Sequence, residues 1–349
     1  MKKRKVKVGI VGLGRLGYHH AKNLAFRIPG CELIAVCSVV EEEVKEVQEK
    51  WGIPYGYTDY DEMLGNREME AVFIASPSAF HCEQIEKALK AGFHVFSEKP
   101  IGLSPAEAER VEKAVSRYPD QVFMPGFMRR FDRSYSDAKK MMDRGEIGDP
   151  VLIRCYGLDP AGQMDSFLKY AKNHDSGGLF LDMAVHDFDL ACWFLNAEPE
   201  EVWAIGGSYA RPEFAGLGDA ETGAAMVRFS GNRMGIFVAG RNCAHGYHIE
   251  TEIIGTKGSL RIGTVPEKNQ VMIFNETGVV KQCVDGFLER FEQAYLSEAE
   301  EFIRCILEHR RPPVRVQDGI KPTLLGYACK KSFETASLVR MKSIAPAGK

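Results

Sequence analysis

The 349-residue chain has no run near the ~18 consecutive apolar residues that a membrane helix needs, so no membrane partner is expected. It has no surplus of one charge. With 45 Lys and Arg against 48 Asp and Glu, the net charge of −3 offers no field for gripping a polyanion, and nucleic acid is excluded as an expected partner. It also has no C-x-x-C. Its cysteines (Cys31, Cys37, Cys82, Cys155, Cys192, Cys243, Cys283, Cys305, Cys329) are odd in number and scattered, so they read as reduced thiols rather than a zinc cluster or a disulfide framework. Internal repeats and low-complexity segments are missing too. The basic opening Lys2-Lys3-Arg4-Lys5 leads into a short, glycine-broken stretch without a small-residue cleavage pattern. It reads as a solvated approach to a strand, and the expected localisation is the cytoplasm.

The length calls for two domains, at roughly 100–200 residues each. The first third alternates short apolar runs with helix-period segments, with strands expected at Val6–Val11, Leu33–Cys37, Ala71–Ala75, His94–Phe96 and Val122–Met124. This is the pattern of a doubly wound parallel sheet. The helix after Ser104 has a marked start, because Ser104 opens an S-x-x-E capping box with Glu107 and Pro105 takes the first helical position. Beyond about residue 125 the strands lengthen and alternate: Val151–Tyr156, Val202–Tyr209, Gly223–Phe229, Met234–Gly240, Ile249–Ile254, Leu260–Ile262 and Val271–Phe274. Helices are expected at Tyr135–Arg144, Phe180–Leu195, Tyr295–Glu308 and Thr323–Arg340. The expected fold is α/β. Residues 1–125 form the parallel-sheet domain, and residues 126–349 form an α+β domain with a large, mainly antiparallel open sheet.

Gly12-Leu13-Gly14-Arg15-Leu16-Gly17 follows a strand directly and opens a helix. In that setting the glycines allow a tight turn and close backbone approach, and the free amides of the helix start receive a pyrophosphate. Gly12, Gly14, Arg15, Leu16 and Gly17 are therefore expected to hold a dinucleotide, which makes the first domain an NAD(P)-binding Rossmann domain. The second strand departs from the fingerprint. Where Asp or Glu should bind the ribose 2′-OH stands Ser38. The following Val39-Val40-Glu41-Glu42-Glu43 brings no cation for a 2′-phosphate, so NAD is expected and NADP is left open. Arg15 is the nearest candidate cation, or a solvent-facing helix residue.

Ser97-Glu98-Lys99-Pro100 ends another expected strand, at the edge where such sheets place ligands. With Gly12-x-Gly14-x-x-Gly17, Glu98-Lys99-Pro100 and Asp182-x-x-x-His186 in this order, the chain resembles the Gfo/Idh/MocA oxidoreductases over nearly its whole length. Gly126-Phe127-Met128-Arg129-Arg130-Phe131-Asp132 and Gly177-Gly178-x-x-x-Asp182-x-x-x-His186-Asp187 look most like its inositol dehydrogenases, both myo- and scyllo-. The resemblance implies a catalytic set of Lys99, Asp182 and His186, and a cofactor crevice touching Ser38, Ser76, Pro77, His81, Glu98 and Lys99. It also implies polyol contacts at Lys99, Arg129, Asp159, Asp182, His186 and Tyr247, and a homotetramer.

Residue chemistry supports the same reading. Asp182 and His186, four apart in an expected helix, would share a face, so the carboxylate could orient the imidazole. A histidine with an ordinary pKa of about 6.5 suits proton acceptance at neutral pH, and a lysine steadies an oxygen gaining alkoxide character. No metal is expected, because His186, Asp187 and Asp189 diverge on a helix; His19-His20 reads as packing or solvated. Asp159 could equally begin a turn, and Tyr247 and His245 could be sheet packing. The expected function is NAD-dependent oxidation of a secondary hydroxyl of a cyclic polyol, myo- or scyllo-inositol, to the ketone. An aldose or other sugar derivative as substrate, or a dinucleotide-binding regulator without catalysis, are the alternatives.

Overall fold

A computed structural model describes residues 4–263 and 267–344; Lys2 and Lys3 of the basic opening lie outside them. The chain divides into two compact units. One runs to Phe131 and regains Gln293–Thr323; the other is Asp132–Glu292 and the chain from Leu324. The first unit thus runs past residue 125 to Phe131, and a helical stretch from later in the chain returns to it. That return has a packing cause. Phe302, on the helix Glu292–Leu307, meets Phe73 and Phe96 of the first sheet edge-on at 5.3 and 5.8 Å.

The first sheet contains β1 (Val6–Val11), β2 (Cys31–Cys37), β3 (Tyr55–Tyr57), β4 (Ala71–Ile74), β5 (His94–Glu98) and β6 (Phe123–Gly126). All neighbours pair in parallel, in the order β3-β2-β1-β4-β5-β6. This is the doubly wound order, with its crevice at the carboxyl ends beside β1, where the winding reverses. Every residue of β4 and β6 is buried, as a sheet covered on both faces requires. The strand β3, which the sequence reading missed, has only three residues and no buried one. Short edge strands carry little apolar signal. The cap at Ser104 forms: its hydroxyl accepts the Glu107 amide at 3.2 Å, while the Glu107 carboxylate reaches back to Leu103 N.

The second sheet uses β7 (Pro150–Pro160), β8 (Pro199–Gly207), β9 (Thr222–Phe229), β10 (Arg233–Cys243), β11 (His248–Gly255) and β12 (Ser259–Ile262); β13 (Glu267–Asn275) and β14 (Gly278–Cys283) form a separate hairpin, and β15 (Val339–Arg340) closes one edge. The order is β12-β11-β7-β10-β9-β8-β15, antiparallel except for the parallel β7–β10 pair. The helix Val185–Leu195 covers one face, with Phe188 edge-on to Phe237 at 4.9 Å.

Two helix expectations change. The single helix over 180–195 is two, Leu179–Asp182 and Val185–Leu195, separated at Met183-Ala184. Leu179 O accepts from both Met183 N and Ala184 N, and a new turn starts on Ala184 O. Asp182 and His186 therefore do not share a continuous helix face. The last long helix starts earlier than expected, at Val316, and carries Pro322 within it. The Thr323 hydroxyl donates to Gly319 O there, at 2.8 Å.

Candidate functional site

In the first unit the expected ligand residues all follow carboxyl ends of parallel strands: Gly12 to Gly17 after β1, Ser38 after β2, Ser76 and Pro77 after β4, Glu98 and Lys99 at the end of β5, and Arg129 in the turn after β6. Gly12 has φ +90°, and a Cβ on it would lie 2.5 Å from Ser76 N. A Cβ on Gly17 would lie 2.0 Å from Gly12 O, whereas Gly14 has open space within 4 Å. Gly12 thus lets the chain after β4 come close, Gly17 packs onto Gly12, and Gly14 leaves room over the start of α1 (Arg15–Phe26), which has no side-chain cap. Backbone amides with that clearance fit a pyrophosphate, so the cradle fits a dinucleotide.

His81 does not offer its nitrogens to a ligand. Nδ1 lies 2.8 Å from Pro100 O and Nε2 2.8 Å from Ser76 O, so the ring ties together the loops after β4 and β5. Burial pushes its pKa down, against the two carbonyls that favour the protonated form. Ser76 Oγ bonds the Gln84 side chain at 2.5 Å.

Behind Lys99 lies a buried group that motif reading left unused. Glu98 Oε2 accepts the Lys99 amide at 3.3 Å, and Glu98 Oε1 lies 2.8 Å from His20 Nε2. Glu298 completes the cluster, with one donor atom of each residue within 4.8 Å of the others. It is fully buried, and neither carboxylate oxygen has a hydrogen-bond partner. Desolvation, then the charge of Glu98, holds its acid well above the usual range. An acid pushed towards its neutral form by burial and a histidine Nε2 already engaged by Glu98 make a poor metal set. The sequence reads His20 as packing or solvated; the tertiary contact with Glu98 gives it a buried polar partner.

In the second unit Asp159, Asp182, His186 and Tyr247 gather at one end of the sheet. Asp159 is the penultimate residue of β7. His186 opens the helix Val185–Leu195, and the neighbouring Asp187 carboxylate lies 2.7 Å from where a Cβ on Gly157 would stand, so glycine there admits the helix start. Tyr247, buried and edge-on to Phe291 at 6.3 Å, sits in the β10–β11 turn, where Cys243 pairs with Pro160. Asp182 Oδ2 accepts from Arg241, at 3.2 Å. Arg241 is almost wholly buried, with its guanidinium 3.4 Å from the centre of the Phe167 ring.

Arg241 had no motif to announce it, and the same is true of two acids that hold the surrounding turns. Asp219 accepts the Leu179 amide at 2.8 Å, fixing the start of the Asp182 helix. Buried Glu221 accepts three successive amides, from Tyr209, Ala210 and Arg211, at 3.2, 2.8 and 2.8 Å. Both work through the backbone, so no side-chain spacing reveals them.

Residues 6–127 match the model of an oxidoreductase family described as an NAD-binding Rossmann fold, and residues 135–261 match the GFO/IDH/MocA C-terminal domain. Myo-inositol 2-dehydrogenase of Thermotoga maritima is 33% identical over 97% of this chain and 99% of its own. The scyllo-inositol 2-dehydrogenase (NAD(+)) of Bacillus subtilis is 33% identical over 96% of each chain. Among solved structures, scyllo-inositol dehydrogenase of Lactobacillus casei with bound NAD(H) and scyllo-inositol superposes with a TM-score of 0.93, at 47% identity, covering 97% of this chain and 100% of that one. Glycine cradle, strand-end lysine, two matched domains and relatives aligned nearly end to end agree: the chain belongs to the Gfo/Idh/MocA family of oxidoreductases.

Proposed function

We propose that the protein is an NAD-dependent inositol 2-dehydrogenase, oxidising a secondary hydroxyl of myo- or scyllo-inositol to the ketone. The observation that carries this reading is the end-to-end alignment with relatives of both specificities. Bound nicotinamide supplies the hydride acceptor. The imidazole of His186 takes the hydroxyl proton, and the Asp182 carboxylate, held by Arg241, stabilises the resulting imidazolium. The Lys99 ammonium donates to the substrate oxygen as it gains negative charge. Arg129, Asp159 and Tyr247 bind the remaining hydroxyls, with hydrogen bonds discriminating between epimers.

The assembly is a homotetramer that uses the open face of the second sheet. Trp203 pairs with Met226 across β8–β9, Met226 with Ile236 across β9–β10, and Met234 with Leu152 across β10–β7. Trp203, Met226 and Met234 are 44%, 58% and 48% exposed, an apolar band that a second copy would cover. Among the described residues no helix is long and apolar enough to cross a membrane. The free cysteines, most of them buried, support a reducing cytoplasm.

The test is NAD reduction with myo-inositol, scyllo-inositol and a panel of aldoses. Turnover of an inositol in preference to every aldose is expected; turnover of an aldose alone would move the substrate to sugars.

A further inference from the structure

The strand-end acid that the dinucleotide fingerprint lacks is supplied from the next helix. Ser38, which follows β2 and is nearly buried, donates its hydroxyl to Glu43 Oε2 at 2.6 Å and accepts the Val40 amide at 3.2 Å. Glu43 lies in the first turn of α2 (Glu41–Trp51). A two-residue turn separates Ser38 from that helix, so the carboxylate is carried back to the carboxyl end of β2. In doubly wound dinucleotide sites an acid at that end bonds the ribose 2′-OH. Among the described residues Glu43 Oε1 has no hydrogen-bond partner, so one oxygen is fixed by Ser38 and the other remains to accept a hydroxyl.

We propose that Glu43, tethered by Ser38, is the residue that selects NAD over NADP. It stands with Glu41 and Glu42 in one helical turn, and the nearest lysine in the helix, Lys45, is ion-paired with Glu41 at 2.7 Å. A ribose hydroxyl finds an acceptor there. A 2′-phosphate meets like charge, so selection comes from repulsion of the wrong cofactor as much as from attraction of the right one. The exposed Val39 and Val40 beside the tether offer apolar surface of the kind an adenine ring covers.

The experiment is NADH and NADPH binding, read by nicotinamide fluorescence, to the wild type, Glu43→Gln, Glu43→Ala and Ser38→Ala, each with a thermal melt. No substrate is needed, so failure of the inositol assignment leaves this result intact. Wild type should bind NADH about a hundredfold more tightly than NADPH, and Glu43→Gln, which removes the charge but keeps the shape, should narrow that ratio by about tenfold or more, mainly through tighter NADPH binding. Ser38→Ala should narrow it less, because the carboxylate stays but loses its tether. A wild type that prefers NADPH, or a folded Glu43→Gln with its ratio within about threefold of wild type, would overturn the proposal. Glu43→Gln decides the matter if Glu43→Ala fails to fold.

Discussion

The two sheets of this molecule answer the same burial problem in different ways. In the parallel sheet β4 and β6 are buried along their whole length, because helices cover both faces. In the second sheet β9 alternates: Gly223, Ala225, Val227 and Phe229 face inward while Met226 and Arg228 face solvent. The first sheet is complete within one chain and presents chemistry only at its strand ends. The second exposes Trp203, Met226 and Met234 beside Arg228 on its open face. Each contributes a different part of the proposed reaction, the first the cofactor cradle and the lysine, the second the proton acceptor.

The sharpest test of that division takes one residue from each unit. Lys99→Ala and His186→Ala should each lower kcat for NAD reduction by about 10²–10⁴-fold, with NADH binding little changed for His186→Ala. Equal loss of NADH affinity in both would assign His186 to the cofactor instead. Next come the two faces of the second sheet. Phe237→Ala, which empties a site against Phe188, should cost about 3–5 kcal/mol in denaturant melts. Trp203→Glu, on the open face, should instead lower the mass found by light scattering; a mass unchanged by it would remove that face from the assembly.

A smaller effect is expected at Glu298. Its folded-state pKa is raised, so the folded protein holds a proton that the unfolded chain releases above the ordinary carboxylate range, and stability falls as the pH rises from there. Glu298→Gln removes this slope. The Tm of the variant relative to wild type should therefore climb from about pH 5 to about pH 8; a constant difference would mean that Glu298 is not held neutral. Smallest of all, Ser104→Ala should cost about 1 kcal/mol by removing the cap on Glu107 N, with cofactor binding untouched.

The readings that succeeded from sequence were those in which a residue's role is decided by its chain neighbours. Gly12 with its φ of +90° and Gly17 packed on Gly12 O sit within one short turn, Ser104 caps its own helix, and apolar runs mark β1, β2 and β4 because a sheet covered on both faces buries nearly every residue of its strands. The helix expected over 180–195 failed for the complementary reason. Its apolar pattern runs on through Met183-Ala184, while Asp219, 40 residues from Leu179, fixes where its first segment starts.

By itself the sequence determined the doubly wound first unit, its dinucleotide cradle and the family, since these depend on short-range spacing that survives in one dimension. Tertiary structure alone decided that Glu43 returns to Ser38, that Glu98 meets His20 and Glu298, and that Asp182 leans on Arg241 rather than on a shared helix face. Except for the short loop from Ser38 to Glu43, these are contacts between residues far apart in the chain, and their energies come from burial and charge, which no spacing rule encodes.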